Sequence, residues 1–117
     1  MDDASGAGDV AARVDLEPHE LSGMLERDAP VFLLDVREPW ESQVAPFTGA
    51  RLVPLRTLSD ALESIPRDRD IVAICHHGVR SARAVSLLRE AGFTRVHNLV
   101  GGIDRWSLEA DPSVPRY

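Results

Sequence analysis

Apolar and polar positions follow two rhythms along the chain. Val31-Phe-Leu-Leu-Asp35 is a continuous apolar run ended by a charge. Ile71-Val-Ala-Ile-Cys75 is another, introduced by the polar stretch Pro66 to Asp70. Short runs that are apolar on both alternations predict strands buried on both faces, as in parallel sheets. Arg51-Leu-Val53 and Arg95-Val-His97 are weaker strand candidates, and Ala12-Arg-Val14 is a candidate first edge strand. Helical spacing falls between these runs. Leu21, Met24 and Leu25 follow Pro18, a good first-turn residue. Leu58, Ala61, Leu62 and Ile65 repeat at i, i+3, i+4, i+7 behind Thr57, a candidate N-cap. Ala84, Val85, Leu88 and Ala91 predict a further helix, which Gly92 stops and on which Phe93 folds back against Leu88.

Strands alternating with helices this often predict an α/β domain with a central parallel five-stranded sheet and helices on both faces. Ligands in such sheets bind at the carboxyl ends of the strands. Cys75 stands at such an end, and it is the only cysteine of the chain.

Length and composition narrow the picture. With 117 residues, 44% of them hydrophobic and 27% charged, the chain is expected to form one domain that needs neither disulfide nor metal to hold a core. Residues 1–10, MDDASGAGDV, are expected to be a disordered lead-in to a domain covering 11–117. They lack the basic and apolar regions of a secretion signal, and no apolar run reaches the ~20 residues that span a bilayer. A cytoplasmic location with a reduced thiol is the expectation. The formal net charge of −6 argues against a general nucleic-acid binder, which needs a basic face, but leaves room for a local anion site.

The segment after Cys75 carries the candidate chemistry. A thiol is a poor nucleophile until it ionises, and helix N-termini and nearby cations favour the thiolate. His76, His77, Gly78, Val79, Arg80 and Ser81 must turn a strand sharply into a helix. Gly78 gives the turn freedom in φ. The N–H groups of such a loop converge into an anion cradle. Arg80 adds a cation that stays protonated, and Ser81 is expected to cap the helix and donate a hydrogen bond. A cysteine at this position is otherwise a small core hydrophobe, and exposed loop histidines usually have no role. One Cys beside two adjacent His lacks the spacing of a tetrahedral metal cage, so no metal is expected.

The run Cys75-His-His-Gly-Val-Arg-Ser81 resembles the active-site loop of rhodanese-type sulfurtransferases. Three further signatures resemble the same family and occur in its order: Leu34-Asp-Val-Arg-Glu-Pro-Trp-Glu41, Gly49-Ala-Arg-Leu-Val-Pro-Leu55 and Val100-Gly-Gly-Ile-Asp-Arg-Trp106. Many members carry Gly-His-Ile where this chain has Ala45-Pro46-Phe47. The tail Asp111-Pro-Ser-Val-Pro-Arg-Tyr117, with the paired histidines, resembles rhodanese domains associated with the adenylating enzymes of molybdopterin and thiamine sulfur supply. The six-residue loop resembles that of sulfurtransferases. Related phosphatases and arsenate reductases use a loop one residue longer.

This resemblance implies a sulfurtransferase that moves a sulfane sulfur from a donor such as thiosulfate, through a Cys75 persulfide, to cyanide, a thiol or a carrier protein. Cys75 would be the nucleophile. The backbone from His76 to Ser81, including Gly78 and Val79, would hold the persulfide anion, and Arg80 the donor's oxyanion. His76 and His77 would shape the pocket mouth. Asp35 and Arg37 would brace adjacent loops through a carboxylate–guanidinium bridge. Gly101, Gly102 and Trp106 would shape the last turn and pack the final helix, while Trp40 either packs on the sheet or lines the rim. No cofactor is implied. The implied partners are a small anionic sulfur donor and a sulfur carrier or adenylating enzyme, with no nucleic acid and no membrane. A partner-binding module of low activity, and a phosphatase or arsenate reductase of the same fold, are the alternatives.

Overall fold

The computed structural model describes residues 13–117. The proposed lead-in at 1–10, and Ala12 of the first strand candidate, lie outside the described residues. The strands are β1 (Asp15–Leu16), β2 (Val31–Asp35), β3 (Arg51–Leu52), β4 (Asp70–Ile74) and β5 (Val96–Leu99). The helices are α1 (Pro18–Glu26), α2 (Pro39–Val44), α3 (Val79–Glu90) and α4 (Gly102–Glu109). All strand pairs are parallel, in the order β1-β5-β4-β2-β3. The first strand thus lies just beyond the expected Ala12–Val14, at the sheet edge beside β5.

The continuous apolar runs follow from burial on both faces. Ile71, Ala73 and Cys75 face one core with Leu58, Ile65, Val85, Leu88 and Phe93. Val72 and Ile74 face the other, with Leu21, Met24, Ile103 and Trp106. Successive strand residues point to opposite faces, so an amphipathic alternation would leave one of these cores unfilled. Cys75 therefore belongs to the face covered by α3. None of the described helices is long and apolar enough to cross a membrane.

Helix ends match their sequence signals at two places. Phe93 N–H donates to Leu88 O and Gly92 N–H to Arg89 O, both at 3.0 Å, with Gly92 at φ +97°, which is a Schellman motif. Helices α1 and α2 both begin within Glu-Pro-x-Glu, with the first Glu as N-cap and Pro as the first helical residue. Glu20 accepts the N–H of Glu17 at 2.9 Å, and Glu41 accepts that of Glu38 at 3.0 Å, so each helix carries this arm of a capping box.

The helix expected behind Thr57 is absent. Two 3-10 segments, Leu55–Asp60 and Leu62–Ser64, replace it. Thr57 lies inside the first segment, where its hydroxyl donates back to Pro54 O at 2.9 Å instead of capping. The bonds tighten to i→i+3, as in Ala61 N–H to Leu58 O and Ile65 N–H to Leu62 O. Pro66 disfavours helical backbone at Ile65, which is extended. Leu58 and Ile65 still reach the core, so the apolar spacing was right about the buried side and wrong about the helix type.

Candidate active site

Cys75 is the first residue after β4, and the chain must reverse within three residues to start α3. Gly78 makes the reversal at φ +97° and is the N-cap of α3. Ser81 is therefore the third helical residue and not the cap that the sequence suggested. The turn wraps the sulfur: Cys75 Sγ accepts the N–H of Gly78 at 3.0 Å and that of Ser81 at 3.3 Å. Ser81 Oγ stands 3.3 Å from the same sulfur. The N–H groups of His77, Val79 and Arg80 have no protein acceptor among the described residues. They are the unused donors of the loop and of the first turn of α3, where the helix dipole favours negative charge.

The loop is held from behind by α4. Ile103 N–H donates to Cys75 O at 2.9 Å and Asp104 N–H to His76 O at 3.1 Å. A Cβ on Gly102 would lie 2.4 Å from both of those carbonyl oxygens, and one on Gly78 would lie 3.1 Å from Gly101 N. The glycines therefore let two backbones meet. Trp106 anchors α4 in the core, its ring centroid 5.1 Å from that of Phe47.

Arg80 does not face the cradle as a free cation. Its Nη1 and Nη2 donate to Glu41 Oε1 and Oε2 at 2.6 and 2.8 Å. Glu41 is buried and also accepts the Tyr117 hydroxyl at 2.8 Å. The Arg80 bonds hold the Glu41 carboxyl down at about 2, against the opposing effect of burial. Glu41 in turn keeps Arg80 protonated above its ordinary range. The charge on which the sequence analysis relied to bind the donor is thus neutralised within the protein.

Arg37 is fully buried, and its Nε and Nη2 donate to Asp35 Oδ1 and Oδ2 at 2.9 and 2.8 Å. It also donates to Ala45 O at 2.8 Å and to the Tyr117 hydroxyl at 3.1 Å. A continuous chain of polar contacts results, Asp35–Arg37–Tyr117–Glu41–Arg80, from the end of β2 to the first turn of α3. Two carboxylates balance two guanidiniums, which is how buried charge is tolerated.

The mouth is aromatic. His76 stacks on His77 and on Tyr117, with centroids 3.9 Å apart in each case, and exposed Trp40 meets Tyr117 edge-on at 6.1 Å. Trp40 thus stands at the rim, not on the sheet. Burial, with His77 beside it, lowers the His76 pKa and favours its neutral form. Burial raises the Tyr117 phenol to about 12, helped by Glu41 and opposed by Arg37. A cleft of about 630 Å³ opens on the outer side of Arg80, lined by Arg56, Arg83, Glu38, Glu90, Leu55 and Leu87.

The structure gathers all the loop residues around Cys75 and places Gly101 and Gly102 directly behind them. Three residues escaped the sequence analysis as parts of the site. Glu41 stood inside a quoted signature, and its second Glu-Pro-x-Glu was the available signal. Tyr117 and Asn98 had none, because only folding brings them within reach. Asn98 leaves β5 to accept the Ser81 hydroxyl at 2.5 Å.

Comparison with known proteins places the fold in a family. The family model described as "Rhodanese-like domain" matches residues 17–109. A protein named "Sulfurtransferase" from Allochromatium vinosum is 34% identical over 100 residues, covering 86% of this chain and 94% of its own. "Probable adenylyltransferase/sulfurtransferase MoeZ" of Mycobacterium tuberculosis is 34% identical over 116 residues, covering 97% of this chain. The chain spans only 30% of that protein's length, and 37% and 22% of two plant relatives. Among solved structures, a rhodanese-like domain protein from Staphylococcus aureus superposes with a TM-score of 0.76 at 30% identity, covering 90% of this chain and 99% of its own. With a family match over most of its length and a solved relative that superposes on 90% of it, the chain belongs to the rhodanese-like domain family.

Proposed function

We propose that the protein is a sulfurtransferase that carries sulfane sulfur on Cys75, from a thiosulfate-type donor to a nucleophilic acceptor. One observation carries this reading. The Cys75 sulfur sits inside a turn that already gives it two N–H bonds and keeps further N–H groups free beside it. In the first half-reaction the thiolate bonds to the outer sulfur of the donor. The sulfur–sulfur bond to the sulfonate breaks, and sulfite leaves with the electron pair. The terminal sulfur of the resulting persulfide carries the negative charge, which the N–H groups of His77, Val79 and Arg80 suit. In the second half-reaction cyanide, a thiol or a carrier protein attacks that sulfur, and Cys75 Sγ leaves as a thiolate. Two half-reactions through a covalent intermediate give ping-pong kinetics.

Backbone donors, rather than the Arg80 side chain, bind the anion in this scheme, because Arg80 is committed to Glu41. The relatives named for adenylyltransferase and sulfurtransferase activities support a protein client as acceptor, such as a sulfur carrier or an adenylating enzyme. The cleft beside Arg80, which presents both charge signs, is the surface we assign to it. A cytoplasmic location is part of the same proposal.

The test is intact mass of the reduced protein after brief exposure to thiosulfate, with Cys75→Ser alongside. A gain of one sulfur in the wild type alone, reversed by cyanide with thiocyanate released, is the expected result. No gain from thiosulfate in a folded protein with its thiol free excludes thiosulfate as the donor.

A further inference from the structure

Asn98 is buried at the end of β5, and neither end of its amide is idle. Its Nδ2 donates to Gly78 O at 3.2 Å, so its Oδ1 is the end that meets Ser81. Ser81 is wholly buried, and its hydroxyl carries one proton, which Oδ1 takes at 2.5 Å. A hydroxyl that gives its proton to Asn98 offers only lone pairs to the sulfur 3.3 Å away. The directed chain is therefore Cys75 S–H to Ser81 Oγ, Ser81 O–H to Asn98 Oδ1, and Asn98 N–H to Gly78 O.

We propose that Asn98 is a positioning residue that holds the Ser81 proton away from the resting Cys75 Sγ, so that the hydroxyl donates to the sulfur only when Sγ becomes a leaving thiolate. The inference deepens the reading of Cys75 as the sulfur carrier and rests on it. The loop's N–H groups favour a charged sulfur. Asn98 opposes them by claiming the one hydroxyl that could add a third bond to the thiolate. When Sγ becomes a leaving thiolate, the hydroxyl turns from Oδ1 to the sulfur. The Cys75 proton passes to solvent water when the thiolate forms, and no further reagent is needed.

Charged and titratable groups around the loop are Arg80 with Glu41, His76, His77 and Tyr117 at the mouth, and Asp104 of α4, which pairs with Arg116 at 2.9 Å. Among the described residues none of them shares a hydrogen bond with Asn98, whose partners include Ser81, Gly78 and Val14.

A measurement on the thiol itself separates this inference from the sulfurtransferase reading. The chain has one cysteine, so the S–H stretching band in the Raman spectrum has one source. At pH 7 the wild-type band lies where a thiol donating to oxygen absorbs, and Ser81→Ala moves it toward the free-thiol position. Asn98→Ala frees the Ser81 proton to turn to the sulfur, and the band moves toward the free-thiol position as the S–H loses Ser81 Oγ as its acceptor. In Ser81→Ala/Asn98→Ala the second change has no further effect, because Asn98 acts only through the hydroxyl. An unchanged band in Asn98→Ala overturns the proposal. So does a further shift of the band by Asn98→Ala in the Ser81→Ala background, which would report a loosened loop. If Asn98→Ala does not fold, Asn98→Thr removes the amide with a residue that suits a strand, and the same cycle decides. A wild type that takes no sulfur from any donor, yet shows this pattern, sinks the sulfurtransferase reading and leaves the Asn98 assignment standing.

Discussion

Arg80 and Glu41 face each other through two parallel hydrogen bonds, 2.6 and 2.8 Å long, from the first turn of α3 to α2. Glu41 serves three elements at once. It caps α2 through Glu38 N–H, receives the Tyr117 hydroxyl and holds Arg80. The active-site turn is thereby tied to a helix 39 residues earlier in the chain.

Glu41→Gln removes the charge that Arg80 is paired with. Breaking a buried pair costs about 3–5 kcal/mol, and the partial exposure of Arg80 screens some of this, so a loss of about 2 kcal/mol at pH 7 is expected. The folded carboxyl titrates at about 2, below its ordinary 4.5. A group with a lowered folded pKa contributes stability that is complete above the ordinary value and is lost as pH falls toward the folded one. Urea unfolding of wild type and variant should therefore differ most above pH 4.5 and converge near pH 2. A gap of constant size from pH 7 to pH 2 contradicts the assignment.

Arg80→Ala separates two roles for that guanidinium. If its work is to neutralise Glu41, thiosulfate kcat/KM falls in Arg80→Ala and recovers in Arg80→Ala/Glu41→Gln. Coupling between the two sites of about 1–3 kcal/mol in stability is expected. If kcat/KM stays low in the folded double variant, the guanidinium contacts the donor, and Arg80 returns to the anion site.

Gly102→Ala forces two backbones apart. The new Cβ would meet Cys75 O and His76 O at 2.4 Å, and the residue sits at φ +60°. Destabilisation of about 1–3 kcal/mol is expected from the strained backbone alone. Persulfide formation should slow as well, because the carbonyls that α4 holds belong to the loop. Thermal unfolding and single-turnover mass spectrometry measure the two effects. A variant with wild-type Tm would refute the close approach.

Tyr117 is the only tyrosine, so phenolate absorbance in the ultraviolet reports this one group. The native midpoint should lie near 12 and fall to the ordinary 10 in denaturant. The folded state holds this proton more tightly, so the linked stability is present below pH 10 and is lost as pH rises toward 12. Tyr117→Phe should lose about 1 kcal/mol at pH 7 through the missing hydrogen bonds, and should lack that alkaline decline. A native midpoint at 10 would mean that the phenol is not enclosed by Arg37, Glu41 and His76.

Local chemistry made much of the protein legible. The two apolar runs announced β2 and β4 because a strand buried on both faces has no reason to alternate. Gly92 and Phe93 announced the end of α3, since a Schellman turn needs only neighbours in sequence. Cys75, Gly78 and the residues up to Ser81 announced the site because a strand-to-helix turn supplies its own N–H donors. Local pattern failed where partners are distant or where packing chose between similar local forms. Thr57 to Ile65 has helical spacing, yet Pro66 and the short path to β4 tighten it into 3-10 segments. Ser81 looks like a cap, but Gly78 at positive φ starts the helix three residues earlier. Arg80 is a cation in the sequence and half of a neutral pair in the fold. Which charges cancel, where the Ser81 hydroxyl gives its proton and which ring closes the mouth depend on Glu41, Asn98 and Tyr117. These lie 34, 23 and 42 residues from Cys75, and only the packed sheet brings them together.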